Sequence, residues 1–352
     1  MNEKNVKSIL IVGQGLAGSI LADRLLRAGV QVTLVDRAES SNASKIAAGI
    51  VNPITGRRFV LSWMIDELIP VLKEYYQDVE ERFTTKILKR RLILRSLFSF
   101  QEENDWDGRT TISMYQKHIS SLSGEGDYTS KVHSTPSIGS INGYQIDVPK
   151  FVKVMHDSFT NAGVLENAEF DYNGLLFEGD QVAYKSEWYD AVVFCEGWSG
   201  ELNPFFNYLP FNRSKGEILI IKVPNEKFTQ VYKNGLFIAP LDNDLYWVGA
   251  SNKWHTVDIQ PTTEKRLELI EKLERMLKVP YQIIEHKAAI RPTVRDRRPF
   301  LGQHPEIDNL FIFNGLGTKG ASLAPYWSKV MIEFMLYQKQ LPSVVDIRRF
   351  TK

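Results

Sequence analysis

Two glycine-rich turns, one near each end of the 352-residue chain, carry the residues whose types and spacing suit chemistry. The first is Gly13-Gln14-Gly15-Leu16-Ala17-Gly18, a GxGxxG between an apolar run and a helical pattern. In this arrangement Gly13 permits a tight strand-to-helix turn, Gly15 lets the backbone approach a pyrophosphate, and Gly18 lets the helix pack closely on the strand. The helix start around Leu16 and Ala17 offers free N–H groups and a partial positive charge to phosphates. Asp36, followed by Arg37, ends the next strand pattern roughly 20 residues on, where an acid bonds adenosine ribose hydroxyls and repels a 2′-phosphate. The second turn is Gly315-Leu316-Gly317-Thr318-Lys319-Gly320. Backbone N–H groups at such a loop, with the Lys319 ammonium, suit a negatively charged partner. A plain strand-to-helix turn is the alternative reading at both places.

The surrounding patterns set these turns on an α/β framework. Residues 6–12 (VKSILIV) read as a buried parallel strand, 16–28 as a helix stopped by Gly29, and 30–35 as a second strand: one βαβ unit. A long amphipathic helix is expected over 59–83, a strand over 92–98, and loops through the Ser-, Gly- and Thr-rich stretch 120–143. A helix follows over 147–162, with Pro149 in its first turn, and a buried strand over 191–194. Residues 217–223 and 236–250 read as strands with a hairpin at Asp242-Asn243-Asp244, and 263–277 as a helix. The strand 310–313 leads into the second glycine turn and a last helix over 323–337.

Composition narrows the function classes. Hydrophobic residues make up 43% and charged residues 24%, as in ordinary globular chains. A formal net charge of +1 supplies no global attraction for nucleic acid or an anionic membrane. A single cysteine, Cys195, excludes an intrachain disulfide and a CxxC metal site. The six histidines show no HxxxH or HExxH spacing, so no metal is expected. No stretch approaches the roughly 20 apolar residues of a membrane span, and glycines break the N-terminal apolar run, so a cytoplasmic location is expected.

Separated motifs along essentially the whole length make the chain similar to the D-amino-acid oxidase-like FAD oxidoreductases. That superfamily includes glycine oxidase, sarcosine oxidase, D-amino-acid dehydrogenase and the oxidase half of the bifunctional enzyme that modifies the tRNA wobble uridine. Beyond the fingerprint, Ser44-Lys45-Ile46-Ala47-Ala48-Gly49 resembles the family's small-residue segment passing pyrophosphate and flavin. The resemblance implies phosphate donation from Ser44 and close backbone approach to the isoalloxazine at Ala48, Gly49 and Ile50. Residues 166–170 (ENAEF), ending at Phe170, resemble the strand that meets adenine, and 192–198, with Cys195, Gly197 and Trp198, resemble the "VVxAxGxW" turn near the ADP moiety. Ile290-Arg291-Pro292, with Asp296, Pro299 and Gly302, resembles the "RP…D…P.IG" signature, and the Gly315 loop resembles the turn beneath the flavin pyrimidine edge. At that edge a reduced flavin is negatively charged, which the loop amides and Lys319 would stabilise.

The fold implied is a Rossmann-like FAD-binding domain with an interleaved, mostly antiparallel substrate sheet. The expected partition is 1–88, 142–203 and 288–352 for the FAD domain, and 89–141 and 204–287 for the substrate domain. In relatives the arginine of the "RP" motif clamps a substrate carboxylate, which gives Arg291 that role. Pairing with a structural acid or carbonyl is the competing assignment. The implied reaction is hydride transfer from an amine Cα–H to noncovalently bound FAD, with no catalytic histidine; Lys45 stands where a flavin-tethering histidine occurs in one branch of the family. Phe237 occupies the position where some amino-acid oxidases carry a tyrosine, so a substrate other than simple glycine is expected. Tyr246 is a candidate pocket wall, and Arg58, with Arg57, a candidate reader of an anionic substrate. A 2-hydroxy acid, or a carboxymethylaminomethyl group on tRNA, remains an alternative substrate. The near-neutral charge and the lack of an attached methyltransferase domain count against the tRNA.

Overall fold

In the run SILIV every residue after Ser8 is apolar, so both faces of this strand have to be covered. The computed structural model describes residues 6–37, 42–123, 130–133, 137–224 and 226–350. It sets Ser8–Val12 inside a six-stranded sheet, paired in parallel with Gln31–Asp36 on one side and Ala191–Phe194 on the other. Leu310–Asn314 lies parallel beyond Ala191–Phe194, Leu165–Asn167 lies parallel beyond Gln31–Asp36, and the antiparallel Phe300–Gln303 closes one edge.

Alternation along the central strand divides two cores. Ile9 and Ile11 face a core shared with the helices Leu16–Arg27, Ile65–Arg82, Val148–Asn161 and Gly320–Tyr337. Leu10 and Val12 face Leu175, Tyr184, Phe194 and Phe206 on the other side. A small antiparallel sheet, Leu175–Glu178, Gln181–Tyr184 and Glu187–Tyr189, covers that face. This is the Rossmann-like part of the molecule.

The second sheet has ten strands. Along its main path it runs Lys253–Trp254, Ser214–Lys222, Leu245–Gly249, Leu236–Pro240, Val231–Asn234, Leu88–Leu97, Ser137–Ile146 and Ile50–Val51. Gln282–Arg291 also pairs with Ser214–Lys222, and Ile119–Ser123 with Ser137–Ile146. Pairing is antiparallel except between Val231–Asn234 and Leu88–Leu97. The expected hairpin is present: Asn243 and Asp244 both take positive φ in the turn that joins Leu236–Pro240 to Leu245–Gly249.

Two expectations need correction. The stretch 120–143 is not loop throughout, because it contains Ile119–Ser123 and most of Ser137–Ile146; its residues 124–129 and 134–136 lie outside the described residues. Small residues there serve close packing. A Cβ at Gly139 would stand 2.5 Å from the Trp106 ring, and one at Gly143 would stand 2.8 Å from Ile93. The long helix begins at Ile65, not at 59, because Ile54–Thr55 and Val60–Leu61 form a hairpin and both Phe59 and Met64 take positive φ.

Gly49 extends the pairing of Ile50–Val51 with Ser137–Ile146 at the edge of the second sheet. Its φ is +65°, its carbonyl accepts from the Ile146 amide at 2.9 Å, and an added Cβ would stand 1.7 Å from the Ile146 oxygen. Left-handed strain and a backbone clash together cost about 2–5 kcal/mol. Gly49→Ala is therefore expected to lower the urea midpoint of unfolding without changing its slope; an unaltered midpoint would show that the segment can move away from its strand.

Candidate functional site

Four parallel strands end at one edge of the first sheet, and each delivers a turn there: Gly13 after Ser8–Val12, Arg37 after Gln31–Asp36, Cys195 after Ala191–Phe194, and Gly315 after Leu310–Asn314. In such sheets the carboxyl edge is where nucleotide ligands lie. Backbone bonds fix the turns to one another: Gly13 N–H donates to Val35 at 2.8 Å, and Cys195 N–H to Val12 at 2.7 Å. The buried Asn314 accepts from the Gly315 amide at 2.7 Å and donates to the Gly197 carbonyl at 2.9 Å, joining two turns 117 residues apart. Gly13 adopts φ +101°, and a Cβ on it would stand 2.6 Å from the Cys195 oxygen.

A cavity of about 740 Å³ opens along this edge and continues between the two sheets. Gly13, Gly15, Leu16, Ala17, Asp36, Arg37 and Ser44 line its first stretch. The Asp36 carboxylate accepts from the Gln14 amide at 2.7 Å, and the Ser44 hydroxyl accepts from the Leu16 amide at 3.0 Å. The bare backbone at Gly13 and Gly15, open to the cavity beside the helix start, fits a pyrophosphate.

Aromatic and acidic groups surround the adjoining end. Phe170 stacks on Tyr184, with ring centroids 4.6 Å apart and 26° between planes, so its ring is held against the cavity wall. Tyr172 donates to the carboxylate of Glu196, which also accepts from Asn203 at 2.8 Å. Burial pushes the Glu196 carboxyl up to about 7. Cys195, Gly197 and Trp198 also line this wall; burial holds the Cys195 thiol well above its ordinary value.

At the other end, Ala48, Gly49 and Ile50 line the cavity under tight restraint. Trp247 donates from its indole to the Ile46 carbonyl at 2.9 Å, and Gln145 donates to Ala48 at 3.3 Å and Pro240 at 2.9 Å. The loop Leu316, Gly317, Thr318, Lys319 and Gly320 faces them at the start of the last helix. Lys319 donates to Ser62 at 3.2 Å, and Ser62 donates to the Asn52 carbonyl at 2.7 Å. Burial, with Arg298 and Arg297 adding repulsion, lowers the Lys319 pKa. An extended, cation-ended cavity with a bare glycine turn at each end suits a flavin dinucleotide.

The cavity closes over the second sheet. Arg291 ends Gln282–Arg291, and its guanidinium lies over Gly216, where a Cβ would stand 2.0 Å from Nη2. Its fork bonds to the Asn252 side-chain oxygen and, at 3.4 Å, to the Ser251 carbonyl. No ion pair joins Arg291 to an acid among the described residues, whereas the carbonyl contact of the competing assignment is present at Ser251. Burial alone pushes its pKa down to about 10. Phe237 lines the same wall.

Other candidates lie elsewhere. Tyr246 is buried in the core of the second sheet, accepting from the Phe228 amide at 3.2 Å and donating to the Glu226 carbonyl at 3.4 Å. Arg58 is exposed on the turn of the 54–61 hairpin, and neither it nor Arg57 lines the cavity. Lys45 sits in the short helix Ala43–Ile46 and is also absent from the lining, although Ser44 beside it is present. No histidine lines the cavity, and the described residues hold no group of three or more metal-ligating side chains. No helix among them is long and apolar enough to cross a membrane. Asn252, Asn314, Gln145, Trp247 and Lys233 belong to the site but have no motif to announce them. Only strand pairing brings Asn252 to Arg291, 39 residues away in sequence.

Comparison with known proteins agrees with this geometry. The model of the family described as "FAD dependent oxidoreductase" matches residues 8–334. A glycine oxidase of Pseudomonas aeruginosa is 24% identical over 93% of this chain and 94% of its own. The crystal structure of glycine oxidase from Geobacillus kaustophilus superposes with a TM-score of 0.80 at 20% identity, covering 97% of both chains. That of L-proline dehydrogenase from P. horikoshii superposes with a TM-score of 0.80 at 17% identity, covering 98% of both. With its glycine-edged cavity and a family match over nearly its whole length, this chain belongs to the DAO family of FAD-dependent oxidoreductases.

Proposed function

We propose that the chain oxidises an amine or amino acid that carries a carboxylate, with Arg291 as the carboxylate's partner. The carrying observation is a half-buried guanidinium that faces the cavity and has no acid of its own among the described residues. A cation kept out of water without a counter-ion is costly, and an incoming carboxylate relieves that cost through two parallel N–H···O bonds. The names of the relatives, glycine oxidase and L-proline dehydrogenase, support an amino acid over a 2-hydroxy acid.

FAD, when bound, would supply the two-electron acceptor for the hydride of the substrate Cα–H, and the imine product would hydrolyse in water. The protein's task is orientation. Asn252 and the Ser251 carbonyl hold the Arg291 fork over Gly216, so the carboxylate is fixed and the α-carbon with it. Phe237 and Trp247 exclude water from the same wall. Such chemistry needs no protein acid or base. For the cofactor, we assign the pyrophosphate to the Gly13–Ala17 turn, the ribose to Asp36, and the flavin's anionic edge to the Gly315–Gly320 loop with Lys319.

Anaerobic mixing of the yellow holoprotein with a panel of amines, amino acids and hydroxy acids is expected to bleach the flavin with amino acids; bleaching by hydroxy acids alone would replace the substrate class. Arg291→Leu is expected to raise KM for a carboxylate substrate by roughly tenfold to a hundredfold, the range for a lost charged hydrogen bond. Gly216→Ala is expected to act in the same direction by pushing the guanidinium aside with its charge intact. Unchanged KM in both variants would remove Arg291 from the site. Asp36→Ala is expected to weaken FAD retention about tenfold, read by flavin release on dialysis, with turnover restored at saturating FAD.

A further inference from the structure

We propose that Lys233 binds a second acidic group of the substrate, so that the preferred substrate is an amine bearing two anionic groups. This rests on the reading of Arg291 as the first carboxylate's partner. Lys233 pairs across the second sheet with Phe237, Phe237 pairs with Gly249, and Gly249 with Ile218. Gly216 lies two residues before Ile218 and pairs with Ala289, which is two residues before Arg291. Residues directly opposite on neighbouring strands, and those two apart on one strand, share a face. Lys233, Phe237, Gly249, Ile218, Gly216 and Arg291 therefore form one surface, and all six line the cavity.

The two cationic heads lean toward each other on that surface. The Lys233 ammonium lies 4.8 Å from the Phe237 ring centroid, so it reaches over the neighbouring strand. The Arg291 guanidinium likewise reaches over Gly216. Between them remains the strand Leu245–Gly249, which leaves a gap of roughly 10 Å at about 4.8 Å per strand. Gly249 forms the floor of that gap, and a side chain there would press on Ile218 and Trp247. The surface is thus an apolar strip, lined by Phe237, Trp247 and Ile218, with a cation at each end.

Lys233 forms no ion pair among the described residues. Its charged neighbour is Arg95, paired with it on Leu88–Leu97, and that guanidinium is already bonded to the Gly56 carbonyl at 2.8 Å and stacked over Phe59. Burial, with repulsion from Arg95, pushes the Lys233 pKa down to about 8. Two adjacent cations with no acid between them attract an anion from the cavity. A substrate with one carboxylate on Arg291 and another acidic group reaching Lys233 would satisfy both.

The test is binding of unreactive acids to the holoenzyme, followed by calorimetry and by perturbation of the flavin spectrum. Propionate, butyrate and valerate are compared with malonate, succinate and glutarate. The best dicarboxylate is expected to bind roughly tenfold to a hundredfold more tightly than the monocarboxylate of equal length. Lys233→Met should erase that preference and leave monocarboxylate affinity unchanged, while Lys233→Arg should keep most of it. Retained yellow colour checks that each variant is folded. A wild-type protein without dicarboxylate preference, or a Lys233→Met variant that weakens both acid series equally or keeps the preference, overturns the proposal. Failure of every amine to bleach the flavin, with the dicarboxylate preference and its loss in Lys233→Met intact, would instead refute the reaction assigned above and leave the two-anion site standing.

Discussion

Parallel strands impose the constraint on which the cofactor end of this molecule depends. Because Ser8–Val12, Gln31–Asp36, Ala191–Phe194 and Leu310–Asn314 all run the same way, their four following turns must emerge at the same edge. Backbone amides and one acid are thereby gathered from positions nearly 300 residues apart, without any side chain having to reach far. The cost of such an edge is a set of backbone groups with no strand to pair with. The protein meets it in two ways. Side chains satisfy some groups, as Asp36 does for Gln14, Ser44 for Leu16 and Asn314 for Gly315 and Gly197. The rest are left facing the cavity, where a phosphate can take them.

The second sheet solves a different problem, which is to hold cations near an apolar wall. Arginine and lysine seldom stay buried without an acid, because desolvation of the charge is worth several kcal/mol. Lys215 is 1% exposed and obeys the rule, surrounded by Glu217, Asp258 and the Gln260 carbonyl, whereas the buried Arg95 meets only the Gly56 carbonyl and the Phe59 ring among the described residues. Arg291 and Lys233 break it on the cavity surface, each pushed toward its neutral form by burial. On the proposed reading, an anionic ligand accounts for the two cations on the cavity surface.

Legibility in the sequence followed the range over which each interaction acts. The βαβ unit with its GxGxxG and Asp36 spans fewer than 30 residues, so pattern alone reveals it, and the parallel pairing follows. The second glycine turn was visible for the same reason. Misreadings arose where tertiary contacts override local pattern. Gly139 and Gly143 look like loop residues but are strand positions pressed against Trp106 and Ile93. Arg58 follows the 48–50 segment closely in sequence, yet the 54–61 hairpin turns it outward. Tyr246 alternates with Trp247, and the pleat sends the tyrosine into the core and the tryptophan to the cavity. A one-residue choice of face cannot be made without knowing which side the partner sheet covers. Lys233 gave no signal at all, because a lysine between strands reads as a solvated charge until its surroundings are known.

The two ends of the cavity also differ in charge, and this bears on how a ligand can enter it. Asp36, Glu169 and Glu196 lie at one end, with Arg37 paired to Glu169, and Lys319, Lys233 and Arg291 lie at the other. An adenosine has neutral hydroxyls and ring nitrogens to offer, whereas a flavin gains negative charge when reduced. Acids accept from hydroxyls and repel phosphates, so on the proposed assignment the acidic end suits the ribose and discourages a reversed ligand. The cationic end would strengthen its hold as electrons arrive, through Lys319 on the cofactor side and Arg291 on the substrate side. That difference between the oxidised and reduced states lowers the barrier only where the cations are already in place before the reaction. The Ser62 hydroxyl fixes Lys319, and the Asn252 side chain with the Ser251 carbonyl fixes Arg291. On the proposed assignment, preorganisation is therefore what this chain contributes to the chemistry.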